Sequence, residues 1–265
     1  MFAGKTVVIT GASSGLGAAL AEGVAKAGGN LALLARNAER LGAVAESCRA
    51  AGARVVEVQG DVVDSEACEN LISSALAEFS SMDYLVLNAG VSMWTSFEEI
   101  EDLSLFSKIM DTNYQGSVNC VYHGLAALKE SGGLLVAISS IQGLTGVPSH
   151  TGYCASKHAL QGFCDSLRIE LKGTGVDVLI VLPSWVSGTG LRGRAFGAKG
   201  EPIGGEAKGH NSSAVPLDQL VAKVLRAMRK RRRLLYVPGY MRIIPLLKVL
   251  CPWLLDWIIR KKVSR

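Results

Sequence analysis

The sequence of 265 residues is 49% hydrophobic and 19% charged, a composition that suits one globular domain and excludes a disordered chain. The net charge of +5 is unevenly spread, because residues 226–265 carry 12 of the 28 Lys and Arg residues but only one acidic residue, Asp256. The rest of the chain is mildly acidic, which argues against nucleic acid as a ligand.

Seven short runs rich in β-branched or leucine residues predict β-strands. They are Thr6–Thr10, Asn30–Leu34, Arg54–Val58, Tyr84–Leu87, Leu134–Ser139, Asp177–Leu182 and Leu234–Val237. Apolar residues at helical spacing predict helices between them. These helices are Leu16–Lys26, Ala38–Ala50, Ser65–Phe79, Asp102–Lys129, Thr151–Lys172 and Leu217–Arg231. The alternation predicts an α/β fold, with a doubly wound parallel sheet of about seven strands in a single catalytic domain, residues 1–239.

A glycine-rich turn joins the first predicted strand to the first predicted helix. Gly11 allows a tight turn, Gly15 lets the backbone approach a pyrophosphate, and Gly17 lets helix and strand pack closely. Free N–H groups at the helix N-terminus would face the anion. The turn therefore predicts a dinucleotide site, and an ordinary glycine-rich connection is the alternative. The residues assigned to this site are Gly11, Ser13, Ser14, Gly15, Leu16 and Gly17.

Basic residues follow the second predicted strand. A site for NAD places an acidic residue here to bind the adenosine ribose, but this chain has Ala35 and Arg36, with Arg40 one turn later. The planar guanidinium group of Arg36 suits a 2′-phosphate, so NADP is favoured over NAD as the cofactor. The alternative is that Arg36 and Arg40 are solvated surface residues.

Two further strand ends carry candidate cofactor residues. Asp61 and Val62 follow the third strand, and Asp61 is expected to accept a hydrogen bond from the adenine amino group. Asn88, Ala89 and Gly90 follow the fourth strand, where they either line the cofactor or brace the sheet. Both groups lie at the carboxyl ends of strands, where ligands of open α/β sheets bind.

Tyr153 and Lys157 lie four residues apart in a predicted helix and so share one face. Tyrosine ordinarily has a pKa of about 10. An ammonium group nearby, together with oxidised nicotinamide, favours the phenolate and lowers this pKa. Ser140 lies 13 positions before Tyr153, with Ser139 as its rival, and Asn113 lies in the preceding long helix. Two amphipathic side chains extending from a helix to solvent are the alternative.

The chain resembles the short-chain dehydrogenase/reductase family over roughly its first 185 residues. The resemblance is carried, in this order, by Thr10-Gly11-x-x-x-Gly15-x-Gly17, Asn88-Ala89-Gly90, Asn113, Ser140 and Tyr153-x-x-x-Lys157. It implies a Rossmann-type fold, hydride transfer between nicotinamide and a carbonyl or alcohol carbon, and a homodimer or larger homo-oligomer. It also implies roles for a catalytic tetrad. Tyr153 donates a proton in reduction, Ser140 binds the substrate oxygen, Lys157 holds the nicotinamide ribose, and Asn113 supports a water-linked proton relay.

The chain departs from the family after the sixth strand, where the family has Pro-Gly followed by a threonine. Here the sequence is Pro183-Ser184-Trp185-Val186-Ser187-Gly188-Thr189. Pro183 and Val186 are expected along the cofactor, and either Thr189 or Ser187 contacts the nicotinamide carboxamide. Other loop residues at this sheet edge either line a substrate pocket or simply pack. These are Met93, Trp94, Gln142, His150, Trp185, Leu191 and Phe196.

Two segments fall outside the alternation of strands and helices. Residues 187–213 contain eight glycines and predict a substrate-binding loop. Residues 240–265 combine Trp253 and Trp257 with flanking basic clusters, which suits peripheral contact with a membrane surface. A contact with a sister subunit or a solvated basic face are the alternatives. Two prolines and Asp256 argue against a membrane span.

Six scattered cysteines predict neither a disulfide framework nor a metal site. No secretion signal is recognised at the N-terminus, so a cytoplasmic protein is expected, peripheral on a membrane if residues 240–265 act as an anchor.

Together these features predict an NADPH-dependent oxidoreductase. It would reduce the carbonyl group, or oxidise the alcohol, of a small hydrophobic substrate such as a steroid, acyl ketone or sphingoid ketone. A noncatalytic NADP-binding sensor is one alternative, although it has no need for Tyr153 and Lys157 together. A sugar-nucleotide epimerase is another, for which the chain is short.

Overall fold

A parallel sheet forms the centre of the computed structural model, which describes residues 2–204 and 214–263. The strands are β1 (Thr6–Thr10), β2 (Asn30–Ala35), β3 (Val55–Gln59), β4 (Tyr84–Leu87), β5 (Leu134–Ile138), β6 (Asp177–Pro183), β7 (Val186–Ser187), β8 (Val215–Pro216) and β9 (Leu234–Val237). Within the described residues, seven strands form the sheet in the order β3-β2-β1-β4-β5-β6-β9, and β7 pairs with β8 separately. The seven predicted strands are therefore confirmed, with small shifts at their ends.

Helices cover both faces of this sheet. They are α1 (Gly15–Lys26), α2 (Ala38–Ala50), α3 (Ser65–Phe79), α4 (Ser104–Met110), α5 (Gly116–Ser131), α6 (Thr151–Glu170), α7 (Leu217–Arg229), α8 (Ile244–Leu250) and α9 (Pro252–Val263). Buried side chains of α1, α2 and α7 pack on one face, and those of α3, α5 and α6 on the other. In β1, Val7 and Ile9 join the first layer and Val8 the second, all fully buried. The prediction of a Rossmann-type doubly wound α/β domain is confirmed.

The strand order reverses at β1, with β2 and β3 on one side and β4 to β6 on the other. In open α/β sheets, the connections leaving the carboxyl ends of the strands on either side of such a point diverge and leave a crevice. The glycine turn after β1 and Asn88 after β4 both lie at this crevice. The fold thus brings together two motifs that are 77 residues apart in sequence.

The helix predicted over Asp102–Lys129 is not one regular helix. It begins at Ser104, and a π-helical turn at Asp111–Gln115 separates α4 from α5. A π turn inserts one extra residue and commonly marks a functional site. Asn113, which is completely buried, lies inside this turn. The apolar periodicity predicted a helix here but not the insertion, because the spacing of apolar residues continues on both sides of it.

The C-terminal segment folds back against the domain as the two helices α8 and α9. Ile244 and Leu255 are only 7% and 4% exposed and join the apolar layer beneath α6. The Lys248 ammonium group donates a hydrogen bond to the Leu144 carbonyl oxygen at 2.8 Å, which fastens α8 to the loop after β5. Within residues 2–204 and 214–263, no helix combines the length and apolarity that crossing a bilayer requires.

Candidate active site

Close contacts around the glycine turn leave no room for side chains. Gly11 and Gly15 have φ values of +65° and +55°, a backbone conformation that glycine adopts without strain. A Cβ atom on Gly15 would lie 2.6 Å from the Thr189 carbonyl oxygen, and one on Gly17 would lie 2.3 Å from that of Gly11. Ser14, at the N-cap of α1, makes no side-chain capping bond. The first N–H groups of α1 therefore stay available to an anion, which fits the pyrophosphate of a dinucleotide.

Asn88 connects the end of β4 to the glycine turn. Its side-chain amide donates hydrogen bonds to the carbonyl oxygens of Thr10 and Gly11, at 2.9 and 3.2 Å. The Thr10 hydroxyl in turn accepts from the backbone N–H groups of Asn88 and Ala89, both at 3.0 Å. Asn88 thus braces the sheet and also lines the cavity described next. Thr10 completes this connection, a role that the sequence did not predict.

One cavity of about 530 Å³ joins the glycine turn to the predicted catalytic residues. This volume is ordinary for a small-molecule site. Of the residues predicted to bind cofactor or to act in catalysis, all line this cavity except Gly17, Asn113 and Ser187, the alternative to Thr189. Gly17 instead packs against the backbone of Gly11. The fold therefore gathers residues from most of the chain around one space.

The adenosine end of the cavity carries the predicted basic residues. Arg36 and Arg40 line it together with Asp61 and Val62. The Arg36 guanidinium group lies 3.4 Å from the Asp61 carboxylate, and the Arg36 side chain is largely exposed whereas that of Asp61 is partly buried. At the start of α2, the Asn37 side chain accepts a hydrogen bond from the Arg40 N–H group at 2.8 Å and so caps the helix. Asp61 thus faces Arg36, a contact that the sequence did not predict.

Ser140, Tyr153 and Lys157 lie together at the centre of the cavity and are at most 8% exposed. The Ser140 side chain is near enough to Tyr153 to lower its pKa. The Ser140 hydroxyl donates a hydrogen bond to the Pro183 carbonyl oxygen at 3.4 Å. The Ser140 hydroxyl also accepts from the Gln142 N–H group at 3.1 Å. The Lys157 ammonium group donates to the Ile138 carbonyl oxygen at 2.9 Å. These contacts distinguish Ser140 from Ser139, whose buried hydroxyl has no hydrogen-bond partner among the described residues.

Burial determines the protonation states of Tyr153 and Lys157. It raises the pKa of Tyr153 to about 12, although the nearby Ser140 side chain acts in the opposite direction. It also lowers the pKa of Lys157 to about 8. The sequence predicts a lowered tyrosine pKa beside Lys157 and oxidised nicotinamide. Within the protein alone the desolvation of Tyr153 outweighs its neighbours. Tyr153 is consequently neutral and Lys157 mostly charged at pH 7.

Asn113 lies behind the cavity rather than in it. Its side-chain oxygen accepts from the Val91 N–H group at 2.8 Å, and its amide donates to the Val91 carbonyl oxygen and to the Ser156 hydroxyl, both at 2.9 Å. These bonds occupy the amide group and join the loop after β4 to α6. The Asn113 carbonyl oxygen accepts from the Ser117 hydroxyl at 3.1 Å. The side chain thus positions the strand end beside Lys157.

Aromatic side chains enclose the space next to Tyr153. The rings of Trp94, His150 and Trp185 pack against one another with centroids 4.9 to 5.6 Å apart. His150 is 1% exposed, and burial lowers its pKa, so it is neutral at pH 7. The Arg192 guanidinium group covers the Trp94 ring at 3.8 Å. We refer to this space, bounded by Trp94, His150, Trp185 and Arg192, as the aromatic chamber.

Residues of the C-terminal segment also line the cavity. They are Tyr240, Met241, Ile243, Ile244, Leu247, Leu255, Ile258, Ile259 and Lys262. The sequence predicts a membrane contact, a subunit contact or a solvated face for residues 240–265 and gives no sign of their position at the active site. Their apolar side chains make this side of the cavity hydrophobic.

The remaining substrate candidates separate into two groups. Gln142 and Leu191 line the cavity. Met93 and Phe196 instead pack with Leu105 and Ile109 in a small apolar cluster that supports the Tyr153 ring. Residues 205–213 of the predicted substrate loop lie outside the described residues.

The two candidates for the nicotinamide contact differ in their surroundings. Thr189 lines the cavity, whereas the Ser187 hydroxyl donates to the Val215 carbonyl oxygen at 3.4 Å. Pro183 and Val186 line the cavity on the same side as Thr189.

Residues 5–199 match the short chain dehydrogenase family. The 11-beta-hydroxysteroid dehydrogenase A of Arachis hypogaea is 37% identical over 263 residues, which cover 97% of this chain and 75% of that protein. The 11-beta-hydroxysteroid dehydrogenase 1A of Arabidopsis thaliana is 36% identical over 259 residues, covering 96% of this chain and 74% of that protein.

Solved structures resemble this chain over most of its length. A short chain dehydrogenase/reductase from Burkholderia phymatum in complex with NAD is 26% identical with a TM-score of 0.79, over 91% of this chain and 93% of that chain. An alcohol dehydrogenase from Thermococcus sibiricus complexed with 5-hydroxy-NADP is 26% identical with a TM-score of 0.73, over 88% of this chain and 94% of that chain. Sequence match, fold and site geometry agree, and the protein belongs to the short-chain dehydrogenase/reductase family of oxidoreductases.

Proposed function

We propose that this protein is an NADPH-dependent carbonyl reductase that acts on bulky apolar ketones, or oxidises the corresponding alcohols in the reverse direction. The observation that carries this proposal is the burial of Ser140, Tyr153 and Lys157 together in one cavity that joins the glycine turn to the aromatic chamber. A sensor without activity would not require this arrangement of acid, hydrogen-bond donor and cation.

The chemistry divides between cofactor and protein. When bound, the dinucleotide supplies or accepts the hydride. The hydroxyl groups of Ser140 and Tyr153 both bind the substrate oxygen, where negative charge develops during reduction, and so stabilise the transition state more than the ground state. With its pKa at about 12, Tyr153 holds the proton that reduction requires. The Lys157 ammonium group stabilises the phenolate that remains after Tyr153 gives up this proton.

Two observations support NADP as the cofactor. No carboxylate follows β2 at the position where NAD enzymes bind the ribose hydroxyls, and Arg36 and Arg40 occupy the cavity there instead. Asp61, the acidic residue nearest this position, faces the Arg36 guanidinium group, which offsets its charge. Among the described residues, Arg40 has no ion-pair partner. A 2′-phosphate would give these two arginines an anionic partner.

A bulky apolar substrate is supported by the cavity walls. Trp94 and Trp185 form one side, and the apolar residues of α8 and α9 form another. The relatives named 11-beta-hydroxysteroid dehydrogenases support a substrate of this size and polarity. The homo-oligomer implied by the family resemblance remains a prediction.

The proposed activity can be tested with the purified protein by following NADPH oxidation in the presence of ketones of increasing size. A steroid ketone or a long-chain acyl ketone is expected to give a kcat/KM at least about tenfold above that of acetone, because it buries far more apolar surface. NADPH is expected to be preferred over NADH by about 10- to 100-fold, the effect of one charged hydrogen bond to phosphate. No oxidation with any ketone, despite measurable NADPH binding, would support the noncatalytic alternative.

Arg36→Ala is the matching variant in this assay. It is expected to remove most of the preference for NADPH and to leave kcat/KM with NADH nearly unchanged, since only the 2′-phosphate is affected. Arg54→Ala is the control, because Arg54 is also exposed but is paired with Glu78 beside the start of β3. Equal kcat/KM values for NADPH and NADH in the unchanged protein would contradict the assignment of Arg36.

We also propose that α8 and α9 contact a membrane surface peripherally. Their inner residues pack on the domain, whereas Val249, Leu250 and Trp253 are 79%, 67% and 71% exposed. The basic residues Lys261 and Lys262 follow on α9. Exposed apolar side chains next to cations suit an interface with anionic lipid. This placement would bring the apolar chamber close to a lipid-dissolved substrate.

Cosedimentation with vesicles measures this contact. The protein is expected to bind vesicles containing anionic lipid, and high salt should weaken the binding without eliminating it. Val249→Glu combined with Trp253→Glu should reduce binding by more than about tenfold, because a charge replaces apolar burial at both positions. Leu103→Glu is the control, since Leu103 is as exposed as Trp253 but precedes α4. Equal binding by all three proteins would disprove the role of α8 and α9.

A further inference from the structure

The segment after β7 passes directly over the glycine turn. The Thr189 carbonyl oxygen closely approaches Gly15, and Gly190 then reverses the chain with a φ of +65°. The Arg194 guanidinium group returns to this point, where its Nη2 atom donates a hydrogen bond to the same Thr189 oxygen at 3.2 Å. An arginine from the predicted substrate loop therefore lies beside the proposed pyrophosphate site.

Three arginines converge at this end of the cavity. Arg194 lines it together with Arg36 and Arg40. Partial burial and the positive charges of Arg40 and Arg36 all lower the pKa of Arg194. Among the described residues, the one acidic group paired with any of the three is Asp61, at Arg36. The three guanidinium groups repel one another, and an anion between them would offset this repulsion. Phosphate matches the guanidinium group in both charge and geometry.

The same segment also forms part of the substrate chamber. Two residues before Arg194, the Arg192 guanidinium group covers the Trp94 ring at 3.8 Å. Two residues after it, the backbone of Phe196 pairs with the loop after β4. The Phe196 N–H group donates to the Ser92 carbonyl oxygen at 2.8 Å, and the Phe196 carbonyl oxygen accepts from the Trp94 backbone N–H group at 2.9 Å. Arg194 is thus placed between the cofactor end of the cavity and the wall of the chamber.

We propose that Arg194 binds a phosphate group of the dinucleotide and thereby fastens residues 188–196 over the filled cofactor site. This inference rests on the proposed function, because it requires that the cavity bind a nicotinamide dinucleotide. The phosphate is either the 2′-phosphate beside Arg36 and Arg40 or the pyrophosphate beside Gly15. In both cases the cofactor orders a wall of the substrate chamber before the ketone enters.

Dissociation constants measured without turnover test this proposal. Trp94 and Trp185 line the cavity, so tryptophan fluorescence reports binding of NADPH and NADH to the full-length protein. Arg194→Ala is expected to raise the Kd of NADPH about tenfold. If the Kd of NADH stays unchanged, Arg194 binds the 2′-phosphate, and if both constants rise equally, it binds the pyrophosphate. Lys199→Ala is the control, because Lys199 is an exposed cation of the same loop that does not line the cavity.

A second variant separates charge from loop structure. Arg194→Gln can still donate a hydrogen bond to Thr189 but carries no charge, so it should bind NADPH as weakly as Arg194→Ala. If Arg194→Gln bound NADPH with wild-type affinity while Arg194→Ala did not, Arg194 would support the structure of the loop rather than bind phosphate. This result would overturn the proposal. Kd values of Arg194→Ala that lie within about twofold of those of Lys199→Ala would also overturn the proposal.

Hydrogen exchange measures the ordering of the loop directly. Saturating NADPH should protect the amides of residues 188–196 in the unchanged protein but not in Arg194→Ala. Equal protection in both proteins would overturn the ordering role. If the unchanged protein binds neither dinucleotide, the proposed function itself fails. Binding without an effect of Arg194→Ala refutes only the inference about Arg194.

Discussion

Replacing Tyr153 with phenylalanine is expected to lower kcat/KM for ketone reduction by at least about 100-fold, the contribution of a well-placed general acid. The phenylalanine ring fills the same space against Met93, Leu105 and Ile109, so the local packing is retained. The lost group is the hydroxyl that lies near Ser140 and that would protonate the substrate oxygen. NADPH affinity should therefore change by no more than about twofold.

Three measurements make this result specific. Reduction is followed by NADPH oxidation, cofactor affinity by fluorescence titration, and folding by thermal unfolding. Tyr84→Phe is the matched control, because Tyr84 begins β4 away from the cavity and packs edge-to-face on Phe2. Activity of Tyr153→Phe within a few-fold of the unchanged protein would refute the assigned role of Tyr153.

Replacing Gly17 with alanine is expected to remove NADPH binding and to lower the free energy of unfolding by about 1–3 kcal/mol. The new methyl group would lie 2.3 Å from the Gly11 carbonyl oxygen and 2.5 Å from the Asn88 side-chain nitrogen. These two atoms are hydrogen-bonded to each other. The methyl group must therefore displace both the glycine turn and the bond that connects it to β4. The binding of pyrophosphate depends on both features.

Gly162→Ala provides the control for this substitution. Gly162 lies in α6, and a Cβ atom there would meet no described atom within 4 Å apart from its chain neighbours and the backbone of its own helix. Alanine at this position should stabilise the helix by about 1 kcal/mol and leave NADPH binding intact. Urea unfolding and fluorescence titration measure the two effects separately. If Gly17→Ala bound NADPH like the Gly162→Ala protein, the close approach of α1 to β1 would not be required for the cofactor.

Local sequence patterns were sufficient to predict much of the architecture. Short, nearly continuous apolar runs predicted the seven strands of the sheet, because a strand that helices cover on both faces needs hydrophobic residues on both. The glycine spacing after β1 and the spacing between Tyr153 and Lys157 predicted residues that line one cavity. Such motifs act through neighbours in the chain, so their geometry is largely encoded locally.

The pKa of Tyr153 could not be predicted in this way. Lys157 together with oxidised nicotinamide predicted a lowered value, whereas within the protein alone burial raises the pKa to about 12. Burial depends on side chains from distant segments, among them Met93 and Ile109. The π-helical turn that contains Asn113 also escaped prediction, since one inserted residue does not change the apolar pattern around it.

The sequence by itself predicted the order of strands and helices and the glycine-rich turn, because both depend on short-range spacing. The catalytic tetrad is implied by the family resemblance and stays a prediction. Only the tertiary structure showed that α8 and α9 fold back to line the cavity and that Arg194 returns to the glycine turn. The basic, apolar character of the C-terminal segment and the glycines around Arg194 are visible in sequence. Their partners are not, because contacts across the sheet edge join residues far apart in the chain, and composition alone does not specify which surfaces meet.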